Sequence, residues 1–96
     1  MNLTLVAKIT AKAGKAKELK TTLEGLIAPT RAEKGCMEYY LNYSIEEEGV
    51  FLFYETWATV EDWNVHMESD HLKAFFAKEE ELIESVEISK WEKSAL

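Results

Sequence analysis

Leu3, Leu5, Ala7 and Ile9 alternate with Thr4, Val6, Lys8 and Thr10, the period-two pattern of a strand that buries one face. Beyond Gly14 the period changes. Ala16, Leu19, Leu23, Leu26, Ile27 and Thr30 fall on one face of a helix, with lysines and glutamates on the other. Pro29 lies inside this pattern and is expected to kink or loosen the helix, because it lacks an N–H and crowds the preceding turn. Lys34-Gly35 must end it. From Cys36 to Ile45 a second strand is predicted, with Met37, Tyr39, Leu41, Tyr43 and Ile45 alternating with Glu38, Tyr40, Asn42 and Ser44. Glu46-Glu47-Glu48-Gly49 is a polar turn of hairpin length, and Val50–Trp57 is apolar on both faces, as in a strand covered on both sides.

Thr59, followed by Glu61 and Asp62, reads as a helix N-cap, with Val60, Trp63 and Met67 as the apolar stripe of a short helix. Ser69-Asp70 offers a second cap before Leu72, Phe75, Phe76, Leu82 and Ile83, so two helical pieces should meet near Ser69. Val86, Ile88 and Trp91 mark a last strand. The order strand, helix, strand, strand, helix, strand is the split βαβ arrangement of a ferredoxin-like α+β domain, an antiparallel sheet with helices over one face. The other face needs a lid. Strands apolar on both sides predict that the lid is a second copy, packed sheet to sheet in a two-fold homodimer.

At 96 residues the chain has room for one domain, spanning 1–96. Eighteen acidic residues against eleven basic give a formal net charge of −7, the wrong sign for nucleic acid or anionic membrane partners. No apolar run approaches the roughly 20 residues of a membrane span, and Met1-Asn2-Leu3-Thr4 lacks the basic start of a signal peptide. A cytoplasmic location is expected. Cys36 stands alone, which excludes an internal disulfide and CxxC-type metal or redox sites.

A ferredoxin-like fold hosts many functions, so the site residues must decide. An RNA-recognition module would need a basic surface and an RNP1-like signature; a copper chaperone would need paired cysteines. Neither is present. What remains are His66, His71, Glu55 and an aromatic wall of Phe51, Phe53, Trp57 and Trp63. Glu55 shares strand register with Phe51, Phe53 and Trp57, and a carboxylate held against aromatic surface has its pKa raised, which makes it a proton acceptor near neutral pH. The competing reading pairs it with a lysine at the sheet rim. His71 follows the Ser69-Asp70 cap, where a helix N-terminus favours the neutral, basic imidazole. His66 reads more readily as a partly buried helix-end residue bonded to backbone than as a base. The two histidines are about 140° apart on a continuous helix, and they share a face only if the helix breaks near Ser69. With Glu68 and Asp70 the nearest carboxylates, and without HxxxH or HxH spacing, no metal is expected.

Tyr54-Glu55-Thr56-Trp57, then Glu61-Asp62-Trp63, His66 and Ser69-Asp70-His71-Leu72-Lys73-Ala74-Phe75 resemble the E-x-W…H-x-x-(S/T)-x-H-(L/M)-K signature of the antibiotic biosynthesis monooxygenase (ABM) family. The Gly35-Cys36 step is similar to that of its quinol monooxygenase branch, and the resemblance covers essentially the whole chain. It implies a dimeric ferredoxin-like α/β barrel that oxygenates quinols or related hydroxyaromatic compounds with dioxygen, using neither flavin nor metal. In that reading His71, or a His71–Glu55 pairing, removes the phenolic proton, with His66 as a further candidate. Trp57, Phe53 and Trp63 hold the ring and exclude water, and Tyr39, Tyr43 and Asn42 are candidate donors to the developing oxyanion. Phe53 stands where some polyketide-modifying relatives carry asparagine, which argues against an anthrone-type substrate. Ala7-Lys8 and Phe75-Phe76 occupy the regions from which haem-degrading relatives draw their asparagine and histidine, which disfavours haem. A non-catalytic ligand-binding dimer and an isomerase of a small carbonyl signalling metabolite stay open as alternatives.

Overall fold

A computed structural model describes residues 2–96. The elements run β1 (Leu3–Ala11), α1 (Ala16–Glu24), α2 (Ile27–Arg31), β2 (Cys36–Tyr43), β3 (Val50–Trp57), α3 (Val60–Met67), α4 (Asp70–Phe76), α5 (Glu79–Leu82) and β4 (Ile83–Trp91). The four strands form one antiparallel sheet in the order β2-β3-β1-β4, and the helices cover one face of it. This is the ferredoxin-like α+β fold that the element order predicted.

The covered face is built from alternate residues of the two central strands: Leu5, Ala7 and Ile9 of β1 pair with Glu55, Phe53 and Phe51 of β3. Leu19, Leu23 and Leu26 from the first helical segment, with Leu72, Phe75 and Leu82 from the later ones, close the core over these strands. The opposite face carries Val6, Leu52 and Tyr54, each half-buried, beside exposed Tyr40 (53 %) and Trp91 (60 %). It also holds a polar chain in which the Thr56 hydroxyl donates to Glu38 Oε1 at 2.7 Å and Lys93 sits 3.4 Å from the same oxygen. Val50–Trp57 is therefore apolar on both sides as expected, yet the second side is open within one chain.

Several local expectations change. The first helix breaks at Gly25-Leu26 rather than at Pro29, because Pro29 has no N–H for the carbonyl four residues back, which is that of Gly25, and its ring crowds that carbonyl. Pro29 itself sits inside α2. Met37 occupies a bulge where the β2–β3 register shifts between Cys36 and Glu38, so it is exposed while Tyr39 faces the core. Ile45 lies beyond β2 and is fully exposed, and Ile83 opens β4 instead of ending a helix. In α3, Val60 is exposed and the residue that packs inward is His66. Both helix caps form as predicted: Thr59 Oγ1 accepts from the Asp62 N–H at 3.0 Å, and Ser69 Oγ accepts from the Leu72 N–H at 3.3 Å. Among the described residues no helix is long and apolar enough to cross a membrane.

Candidate active site

Across the covered face, one row of the sheet runs Leu5, Glu55, Tyr39. Glu55 is thus a carboxylate planted by strand register in the middle of an apolar surface, 7 % exposed. Its Oε1 accepts a hydrogen bond from the Trp57 indole N–H at 3.0 Å. Trp57 is the next residue on the same side of β3, so the strand itself supplies the donor. Burial pushes the Glu55 carboxyl up to about 7; the indole hydrogen bond opposes that rise and the charge of Glu33 adds to it. No lysine reaches this group among the described ion pairs, and Lys90, the rim candidate, lies over the Trp63 ring 4.8 Å from its centroid. At neutral pH Glu55 therefore exchanges readily between acid and base.

Glu55 lines a cavity of about 410 Å³ between the sheet and the helices, whose wall includes Tyr39, Phe53, Trp63, His66, Phe75 and Ile88. Its size is in the range of small-molecule sites, and its wall is mostly apolar with few polar groups. Tyr39 stacks on Phe53 with ring centroids 4.6 Å apart. Burial, and then the nearby Glu55, hold its phenol above the ordinary tyrosine range, so Tyr39 stays protonated as a donor.

His66 reaches this wall from α3 and is 2 % exposed. Its Nδ1 lies 2.6 Å from Glu33 Oε2, and His71 Nε2 lies 2.8 Å from the same oxygen. The carboxylate accepts, so both nitrogens donate; His66 then carries its hydrogen on Nδ1 and keeps Nε2 as its acceptor. Burial lowers the His66 pKa against the opposing pull of Glu33, which favours the neutral ring. The Trp57 ring packs 4.6 Å from the imidazole. The helix break makes this convergence possible: α3 ends at Met67 and α4 starts at Asp70, which removes the angular separation that a continuous helix would impose. Ser69 locks the joint, donating to the His66 carbonyl at 2.7 Å while capping α4.

The predicted residues thus divide. Glu55, His66, Phe53, Trp63 and Tyr39 line the cavity. Trp57 stands behind them as the hydrogen-bond donor to Glu55 rather than as a ring-holding wall. His71 is not among the lining residues, and its carboxylate partner is Glu33, not Glu55. Tyr43 and Asn42 sit elsewhere. Tyr43 lies four residues along β2 from Tyr39, about 13 Å at strand rise, and its hydroxyl donates to Glu24 Oε2 at 2.6 Å. Asn42 faces the opposite side of the sheet and donates to the Tyr40 and Leu52 carbonyls at 3.3 and 3.2 Å. Nothing in the sequence singles out Glu33. It lies in the turn between α2 and β2, where no hydrophobic period marks it; the one hint is Gly35 two residues on, whose φ of +83° only a glycine adopts freely.

The comparisons with known proteins agree with this architecture. YcnE of Bacillus subtilis, a protein provisionally named a monooxygenase, is 32% identical over 81 residues, which cover 84% of this chain and 85% of that one. The crystal structure of PA3566 from Pseudomonas aeruginosa superposes with a TM-score of 0.95 at 34% identity, covering 98% of this chain and 95% of that one. SO0527 from Shewanella oneidensis superposes with a TM-score of 0.91 at 30% identity, over 96% and 90% of the two chains. Residues 2–78, from β1 through α4, match the model of the antibiotic biosynthesis monooxygenase family, and with that match the chain belongs to this family.

Proposed function

We propose that this chain is a monooxygenase that uses dioxygen to oxidise quinols or related hydroxyaromatic compounds. The observation that carries this reading is Glu55: a carboxyl with a pKa of about 7, buried in a cavity walled by Phe53, Trp63 and Phe75. Dioxygen is a triplet and reacts poorly with a closed-shell phenol, whereas a phenolate in a dry pocket gives up an electron readily. A base and a water-poor cavity are therefore the protein's main tasks. Glu55 takes the phenolic proton. The Tyr39 hydroxyl is the donor nearest to hand for the developing oxygen charge, and His66 Nε2, an acceptor, can take a hydrogen bond from a second hydroxyl of the substrate. Electron transfer to dioxygen and radical recombination place a hydroperoxide on the ring carbon; loss of water leaves a hydroxyquinone, with one oxygen atom retained and the other in the water.

The same base would serve an isomerase of a small carbonyl compound, for which turnover would not need oxygen. The exposed apolar residues of the open sheet face, Tyr40 and Trp91 with half-buried Leu52 and Tyr54, support a homodimer packed through that face.

The test is oxygen uptake by chelator-treated protein given a panel of benzene and naphthalene diols, with autoxidation subtracted and a Glu55→Gln variant alongside. Uptake that survives the chelator and falls by about 10²–10⁴ in the variant, the usual worth of a general base, is the expected result. Absence of uptake above autoxidation across the panel overturns the reading, and turnover that persists without oxygen transfers it to the isomerase.

A further inference from the structure

Glu33, His66 and His71 form a cluster that the proposed chemistry leaves largely unused. The three come from three separate segments, the turn before β2, α3 and the start of α4. One donor atom from each lies within 4.8 Å of those of the other two, and Glu33 Oε2 is 2.6 Å from His66 Nδ1 and 2.8 Å from His71 Nε2. Two imidazole nitrogens and one carboxylate oxygen are the donor set of three-ligand sites for first-row divalent metals, which keep one or more positions open for water or another ligand.

The spacing suits an ion. A tetrahedral centre with bonds of about 2.0–2.1 Å separates its ligands by about 3.3 Å. Glu33 Oε2 now stands 2.6 and 2.8 Å from the two nitrogens, so a withdrawal of the carboxylate by about half an ångström makes room. Glu33 can move because it lies in a turn, and small rotations of the two imidazoles, carried on helices whose ends the Thr59 and Ser69 caps hold, bring the nitrogens to ligand spacing. Glu33 and His71 are partly exposed, which gives the ion an entry path, and the Trp57 ring packed on His66 holds the inner ligand in orientation.

We infer that Glu33, His66 and His71 bind a divalent transition-metal ion of the zinc or cobalt kind, one per chain. The ion replaces the hydrogen bonds to Glu33. The hydrogen on His66 then moves from Nδ1, now on the metal, to Nε2, and the ring turns from an acceptor into a donor. An occupied site thus alters one polar group of the cavity wall, and the binding itself does not depend on what the cavity turns over.

The experiment titrates Co²⁺ into chelator-stripped, untagged protein without substrate. It follows the visible d–d absorption and the quenching of tryptophan fluorescence, and repeats the titration in His71→Ala, Glu33→Gln and the control Glu68→Gln. One saturable equivalent, displaced by Zn²⁺, is expected in the parent and in the control. Both ligand variants should lose at least about 10-fold in affinity, since even an outer-shell partner is worth that much. A metal-dependent rise in Tm in the parent and the control, absent from the ligand variants, gives a second readout. No saturable Co²⁺ or Zn²⁺ binding in the parent, or binding that persists unchanged in both ligand variants, overturns the inference. Neither result bears on oxygen uptake, which is measured with chelator present.

Discussion

Glu33 and Glu55 are linked through two rings, since Trp57 bonds Glu55 and packs on His66, which bonds Glu33, yet their surroundings give them different work. Glu55 sits on a strand, among rings and aliphatic side chains, with one indole N–H for company. Glu33 sits in a turn and accepts from two imidazoles through a single oxygen. A carboxylate with one weak partner holds its proton up to neutral pH and can move it; a carboxylate with two imidazole partners fixes rings in place. Burial among apolar side chains with one weak donor makes Glu55 a proton carrier, whereas two imidazole donors make Glu33 an anchor.

The largest effect that tests this contrast is on stability against pH. Glu55 ionises at about 7 in the fold against an ordinary value of 4.5, so the folded state holds the proton more tightly than the unfolded chain. The contribution is fully present below pH 4.5 and is lost as pH rises to about 7, a loss of about 3 kcal/mol at 1.36 kcal/mol per pH unit. Urea unfolding at pH 5 and pH 8 should show Glu55→Gln gaining stability relative to the parent at the higher pH. Equal pH slopes in the parent and Glu55→Gln would break the comparison.

Next in size is Gly35→Ala. A Cβ there would meet Asp62 Oδ2 at 2.2 Å and Asp62 Cβ at 2.6 Å, in a backbone at φ +83°. The second contact is the decisive one, because Asp62 Cβ is anchored to the first turn of α3 and cannot swing aside. A loss of about 1–3 kcal/mol is expected, read as a fall in Tm, and it should disturb the Glu33 turn while leaving the Glu55 pH response in place. A variant as stable as the parent would mean that turn and helix move together freely.

The smallest is Ser69→Ala, which removes the α4 cap and the bond to the His66 carbonyl. About 1 kcal/mol is expected in unfolding free energy, with the His71 ring signals shifting in NMR spectra more than those of Tyr39. The reverse order would place the loosened joint on the wrong side of the site.

What the sequence made legible follows the same division. Strands β1 and β3 and the Thr59 and Ser69 caps could be read because each rests on chemistry between residues a few positions apart. Glu55 could be read because its strand neighbours are also its neighbours in space. Glu33 could not, since its partners lie 33 and 38 positions away and nothing near it in sequence announces them. Strand parity groups Tyr43 with Tyr39, because it fixes the side of the sheet but not the distance along it. The break at Gly25 shows a similar displacement: the cause is Pro29 and the effect appears one helical turn earlier.

The strand order has a kinetic consequence. Strand β1 leaves the ribosome first, but its two sheet neighbours are β3 and β4, made from Val50 onward and from Ile83 onward. Both edges of β1 stay unpaired until most of the chain has been synthesised, and β4, which completes the sheet and contributes Ile83, Val86 and Ile88 to the cavity wall, arrives last. Folding must close long loops before the central strand gains its partners, so this chain is expected to fold more slowly than helical domains of its size. During synthesis its first strand is the segment most exposed to pairing with the wrong edge.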